Sequence, residues 1–137
     1  MLPKKYQNVR RSLSVKKSAA GLGLFTNEAI KREGFIIEYT GTVLTLEEAD
    51  EKGGKYLFTV SKNKIIDGAD RKNIARYINH SCAPNCRAEV RAGRVLVFAK
   101  RRIQEGEELS YHYGKEYFDE FIKPLGCRCP KCKKTAE

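Results

Sequence analysis

Four groups of residues in this chain have types and spacing suited to chemistry. Closely spaced thiolates occur in Cys127-Arg128-Cys129-Pro130-Lys131-Cys132, and thiolates at such spacing suit tetrahedral zinc, with three ligands leaving one position to fill. Gly21-Leu22-Gly23 lets a backbone approach a ligand closely or supplies positive φ in a turn. No third glycine or Gly-Lys-Ser/Thr follows, so it is not a dinucleotide or phosphate loop. Arg76-Tyr77-Ile78-Asn79-His80-Ser81-Cys82-Ala83-Pro84-Asn85 is dense in polar groups that are costly to bury without partners. Tyr111-His112-Tyr113-Gly114 adds two phenols that flank an imidazole. Taken singly, the glycine pair reads as a tight hairpin, Asn79 and His80 as loop caps, and the tyrosines as aromatic core with satisfied hydroxyls.

The elements that must position these groups are short. Alternating or apolar runs at 9–15, 35–39, 56–60, 64–66, 87–91 and 94–100 predict strands, with Gly53-Gly54 and Ala92-Gly93 as turns. The last two runs form a hairpin. Thr45-Leu46-Glu47-Glu48 is a capping box that opens a helix to about Lys52, and 115–122 reads as a second helix with Tyr117, Phe118 and Phe121 on one face. The fold class is therefore β-dominated (all-β or α+β) with few helical turns.

Composition bounds the function. The 137 residues make one domain. A domain of this size buries about two-thirds of its unfolded surface, so a metal staple would help. Five cysteines, an odd count, and a start without an apolar signal core argue against a secreted disulfide framework and for a reducing compartment. The longest apolar run, Val95-Leu96-Val97-Phe98-Ala99, is too short to span a bilayer, so no membrane partner is expected. The 27 basic and 17 acidic residues leave +10. That charge is compatible with non-specific DNA or nucleosome contact and equally with a solvated surface.

The quoted motifs, in their order, together with Glu38-Tyr39-Thr40-Gly41, Tyr56-Leu57-Phe58, Ile66-Asp67 and Gly106-Glu107-Glu108-Leu109, resemble the SET domain of protein-lysine methyltransferases. The resemblance divides the chain into an N-terminal segment (1–9), the SET domain (10–114) and a post-SET-like segment (115–137). It implies several small sheets and a knot-like crossing of the Asn79 segment beneath the Tyr111 segment, which periodicity cannot show. By the same resemblance, Gly21, Leu22, Gly23, Tyr56, Arg76, Tyr77, Asn79 and His80 contact S-adenosylmethionine. Tyr113 is the catalytic tyrosine, Tyr39 the second hydroxyl of the lysine channel, and Tyr111 the position that influences how many methyl groups are added. Cys82 completes a structural zinc site with Cys127, Cys129 and Cys132, leaving Cys86 as a spare thiol.

This chain departs from the family pattern at Thr42, where Glu is common, and at His112, where Asp or a small residue is common. Two residues rather than four separate Cys129 from Cys132. His112 is expected to face away from the channel, because neighbours on a strand point to opposite sides. The resemblance implies a lysine-containing protein substrate: a histone tail first, then another basic chromosomal or ribosomal protein. With no reader domain in this sequence, substrate choice is expected to rest on the channel and its rim, for which Glu33, Glu38, Glu47, Glu48, Glu116, Asp119 and Glu120 are candidates. Nucleus, bacterial cytoplasm and export into a host cell all remain open as locations, as does the oligomeric state. A different class of function is a non-catalytic, zinc-stabilised basic module that binds nucleic acid or lysine-rich tails.

Overall fold

The structure, a computed structural model, describes residues 4–7, 9–19, 21–54 and 56–114. The 115–122 helix and Cys127, Cys129 and Cys132 lie outside the described residues. Among the described residues, ten strands form four small sheets. β1 (Leu13–Ser18) and β2 (Gly21–Thr26) are an antiparallel hairpin; β3 (Phe35–Tyr39), β9 (Arg94–Ala99) and β8 (Cys86–Arg91) make a second sheet in that order. β4 (Thr42–Leu44), β6 (Lys64–Asp67) and β5 (Leu57–Ser61) make a third, and β7 (Asn79–His80) pairs with β10 (Ser110–Tyr111). Among the described residues, helices are confined to α1 (Lys4–Gln7), α2 (Leu46–Lys52) and a 3-10 turn at Ile74–Tyr77.

The predicted strands at 35–39, 56–60, 64–66, 87–91 and 94–100 each coincide with an observed strand to within a residue at either end. The first does not: the strand runs Leu13–Ser18 instead of 9–15. Its register is set by β2, which pairs Leu13 with Thr26 and Ser18 with Gly21, a partner that local alternation does not reveal. The 91–94 turn is as expected, with Ala92 and Gly93 both at positive φ (50° and 75°). That conformation matches the twist of a two-residue hairpin.

Strand β9 organises the core. Val95, Val97 and Ala99 enter the main cluster, while Leu96 and Phe98 pack with Phe35, Tyr6 and Val9 on the other face. This two-sided burial explains why the run is continuously apolar. The capping box is complete, since Thr45 Oγ1 accepts from Glu48 N–H and Glu48 Oε1 accepts from Thr45 N–H. At the far end, Lys52 donates to the buried Asp67 carboxylate and clips the helix to β6.

Candidate active site

The site is built where β7 and β10 meet. They run parallel, with Asn79 opposite Ser110 and His80 opposite Tyr111, so the Asn-His segment lies directly beside the two-tyrosine segment. Buried Asn85 locks this arrangement: its Nδ2 donates to Glu108 O (2.8 Å) and its Oδ1 accepts from Ser110 N–H (2.9 Å). On the other side Glu108 bridges to Phe25, and Leu109 N–H donates to Leu24 O. The β1–β2 hairpin therefore lies against the same segment. Asn79 Nδ2 reaches across to Leu22 O (2.9 Å), Ser18 Oγ (3.2 Å) and Glu108 Oε2 (2.9 Å). Gly21 and Leu22 are exposed, whereas Gly23 is buried, and a Cβ there would stand 2.4 Å from Glu108 Oε2.

A string of aromatic rings follows. Tyr39 packs on Phe58 (5.5 Å between centroids), Phe58 on Tyr111 (6.5 Å), Tyr111 on Tyr113 (5.1 Å) and Tyr113 on His80 (5.5 Å). Tyr39 and Tyr111 are buried, and Tyr113 is half-buried. The Tyr39 hydroxyl donates to Tyr56 O (2.7 Å), and that of Tyr113 donates to Ile78 O. With each single hydroxyl proton directed at a carbonyl, the phenol oxygens present lone pairs to other groups. Buried Asn73 supports the Tyr39 end, accepting from Thr40 N–H and donating to Gly68 O. A Cβ at Gly68 would meet the Tyr39 ring at 2.4 Å, so glycine allows the backbone to lie flat on the phenol.

Arg76 and Tyr56 stack, with the guanidinium carbon 4.2 Å from the Tyr56 centroid and 5.1 Å from that of Tyr77. The guanidinium also donates to Ala69 O, and its pKa is raised first by the Tyr56 side chain. Arg76 Nε is buried without a hydrogen-bond acceptor among the described residues. Tyr56, Arg76 and Tyr77 thus form one cluster, while Gly21, Leu22, Asn79 and His80 adjoin the crossing.

His80 joins the crossing to Cys82. Its Nδ1 accepts from Tyr113 N–H (3.1 Å), which leaves the proton of the neutral ring on Nε2, 3.4 Å from Cys82 Sγ. Burial, reinforced by the neighbouring His112, lowers the His80 pKa to about 4, so the ring is neutral at ordinary pH. His112 is exposed, as alternation implies, and packs edge-on against His80 at 4.4 Å. Its Nδ1 accepts from Gly114 N–H. Ligand atoms of His80, Cys82 and His112 lie within 4.8 Å of one another, a group that could hold a metal. Cys86 is different: its thiol is buried and pushed up to about 12 by desolvation, which makes it inert.

Residues 21–114 match the family model for the SET domain. The chain belongs to the SET domain family. Relatives of this SET domain include histone-lysine N-methyltransferase trr of Drosophila melanogaster, 39% identical over 127 residues, and histone-lysine N-methyltransferase set1 of Dictyostelium discoideum, 39% identical over 126. A third, from Schizosaccharomyces pombe, is named histone-lysine N-methyltransferase, H3 lysine-4 specific, and is 37% identical over 127 residues. The matches cover 83%, 82% and 82% of this chain but 5%, 8% and 14% of those relatives, so the chain corresponds to a small part of each.

Sequence reasoning passed over three supports of the SET site. Asn73 lies outside the quoted motifs, while Glu108 and Phe58 stand in Gly106-Glu107-Glu108-Leu109 and Tyr56-Leu57-Phe58, segments that carry the resemblance but assign these two residues no role. Their signal lies in position: a buried Asn before a 3-10 turn and a carboxylate facing a glycine register only when distant segments are brought together. Among the candidate rim acids, Glu33 pairs with Arg87 and Glu38 with Arg94. Glu47, together with Asp50 and Glu51, instead lines an open depression of about 520 Å³ beside Leu46 and Asn63.

Proposed function

We propose that this SET domain transfers a methyl group from S-adenosylmethionine to the ε-amine of a lysine in a protein. The observation that supports this best is the parallel β7–β10 pairing, which sets Asn79 and His80 beside Ser110 and Tyr111, with Tyr113 held against His80 in the same site. The donor set suits the cofactor: Arg76 for a carboxylate, the Asn79 amide for an ammonium, and Gly21 and Leu22 backbone for close approach. When bound, S-adenosylmethionine supplies an electrophilic methyl group on a sulfonium.

The protein's residues have to deliver a neutral amine. Free lysine is an ammonium at neutral pH, with a pKa of about 10.4, and must lose a proton before attack. A site lined by Tyr39, Phe58, Tyr111 and Tyr113 disfavours the charged form by desolvation. The lone pairs of Tyr39 and Tyr113 accept the remaining N–H groups and aim the nitrogen. A phenol with a pKa of about 10 is a poor general base at neutral pH, so positioning and electrostatics dominate and the proton leaves through water.

A histone tail, or another lysine-rich chromosomal protein, is the substrate class we favour, which places the protein at chromatin. The names of the relatives support it, and Glu47, Asp50 and Glu51 of α2, which form no ion pair among the described residues, supply negative charge on a chain of net +10. Among the described residues no helix is long and apolar enough to cross a membrane. The test is methyl transfer from labelled S-adenosylmethionine to histones and DNA-associated proteins, with and without DNA, comparing wild type with Tyr113→Phe and mapping the modified residue by mass spectrometry. Tyr113-dependent lysine labelling is expected. Absence of both labelling and cofactor binding would instead favour a non-catalytic basic module.

A further inference from the structure

We infer that Glu108 is a positioning residue for the cofactor: it fixes the amide of Asn79 so that Asn79 Oδ1 faces outward to accept the α-ammonium of the methionine moiety. The inference rests on the reading of this site as one for S-adenosylmethionine. Three acceptors surround Asn79 Nδ2: Leu22 O and Glu108 Oε2 at 2.9 Å each, and Ser18 Oγ at 3.2 Å. Two of them, a carbonyl and a carboxylate, have no proton to give. Turning the amide over would set Oδ1 against both, which leaves a single orientation for the side chain. With Nδ2 held by these acceptors, Oδ1 is the end of the amide left over for a ligand, on a half-buried side chain whose neighbours Gly21 and Leu22 are exposed.

Glu108 is itself held in place. Its backbone bridges to Phe25 and is gripped by Asn85 Nδ2. Gly23 admits its carboxylate, because a Cβ at that position would lie 2.4 Å from Oε2 and 2.9 Å from Cδ. No ion pair to Glu108 is formed among the described residues, although five other glutamates have one. A half-buried carboxylate without a cation, hydrogen-bonded to an amide whose oxygen is left over for a ligand, makes a locally negative corner. A ligand ammonium, which carries both charge and N–H donors, suits it, whereas a sulfonium offers no such donor.

Calorimetry with two ligands tests this. S-adenosylhomocysteine carries the ammonium; 5′-methylthioadenosine keeps the adenosine and thioether but lacks the amino-acid moiety. Glu108→Gln, which can donate to Asn79 and so lets its amide turn, should weaken S-adenosylhomocysteine about tenfold or more and change methylthioadenosine by less than about twofold. In an Asn79→Ala background the same substitution should have little further effect on S-adenosylhomocysteine. Unchanged S-adenosylhomocysteine binding, equal weakening of both ligands, or full additivity with Asn79→Ala would each overturn the inference and leave the cofactor reading intact. Wild-type protein that binds neither ligand would overturn that reading, and this inference with it.

Discussion

The backbone N–H of Tyr113 donates to His80 Nδ1 at 3.1 Å, so the proposed catalytic tyrosine is held by a side chain from the strand that crosses beside it. Its hydroxyl is held from the same segment by Ile78 O. Removing one neutral hydrogen bond costs about 1 kcal/mol, enough to change the population of a productive geometry several-fold. His80→Ala should therefore lower kcat for methyl transfer about fivefold and reduce thermal stability modestly. Steady-state kinetics and thermal unfolding of the same preparation measure both. An unchanged kcat would show that Tyr113 is placed without His80.

Tyr111 is buried and its ring lies 5.1 Å from that of Tyr113. Under the proposed function, a hydroxyl at this position would hold a water where a methylated amine would need to turn, and monomethyl-lysine is the expected main product. Tyr111→Phe should shift the product distribution toward di- and trimethyl-lysine, read by mass spectrometry of the modified peptide. Efficient trimethylation by the wild type would count against this role.

What could be read from the sequence followed the range of the interaction involved. The capping box at Thr45 and Glu48 and the turn at Ala92-Gly93 are local devices, and both occur where expected. β9 was visible because five consecutive residues are buried. β7 and β10 are two residues each, too short for any period, and their parallel pairing joins positions about thirty residues apart. Resemblance to a family, and not patterning, implied that these two segments meet. The role of Glu108 was not legible for a related reason: its partners, Gly23 and Asn79, come from two distant segments, and only the fold brings them together.

Asp67 accepts from Lys52 and from Ala69 N–H, and the Lys52 hydrogen bond is the main reason its pKa lies below the ordinary aspartate value, against the opposing effect of burial. A carboxyl whose pKa is lower in the folded state stabilises the protein above its unfolded pKa, and that stability is lost as pH falls through the folded value. Asp67→Asn should thus destabilise the protein by about 1–2 kcal/mol at neutral pH. The difference from wild type should shrink below the ordinary carboxylate range, where Asp67 is itself protonated. Denaturant unfolding at a series of pH values tests it; a difference independent of pH would assign the loss to packing.

Cys82 distinguishes two ways of holding a metal. One, implied by the family resemblance, would use Cys82 with Cys127, Cys129 and Cys132, four thiolates that would suit tetrahedral zinc; the other would use Cys82 with His80 and His112, whose ligand atoms lie within 4.8 Å of one another. The hydrogen bonds favour the first. Nδ1 of each histidine accepts a backbone N–H, from Tyr113 and Gly114, so each neutral ring carries its proton on Nε2. Ligation through Nε2 would require that proton to move and the backbone bond to break. His80 Nε2–H can instead donate to the Cys82 sulfur 3.4 Å away and so support a thiolate ligand. Elemental analysis should find one zinc per chain, lost in Cys82→Ser and in Cys129→Ser but retained in His112→Ala. Zinc lost in His112→Ala and retained in Cys129→Ser would assign the ion to the histidine cluster.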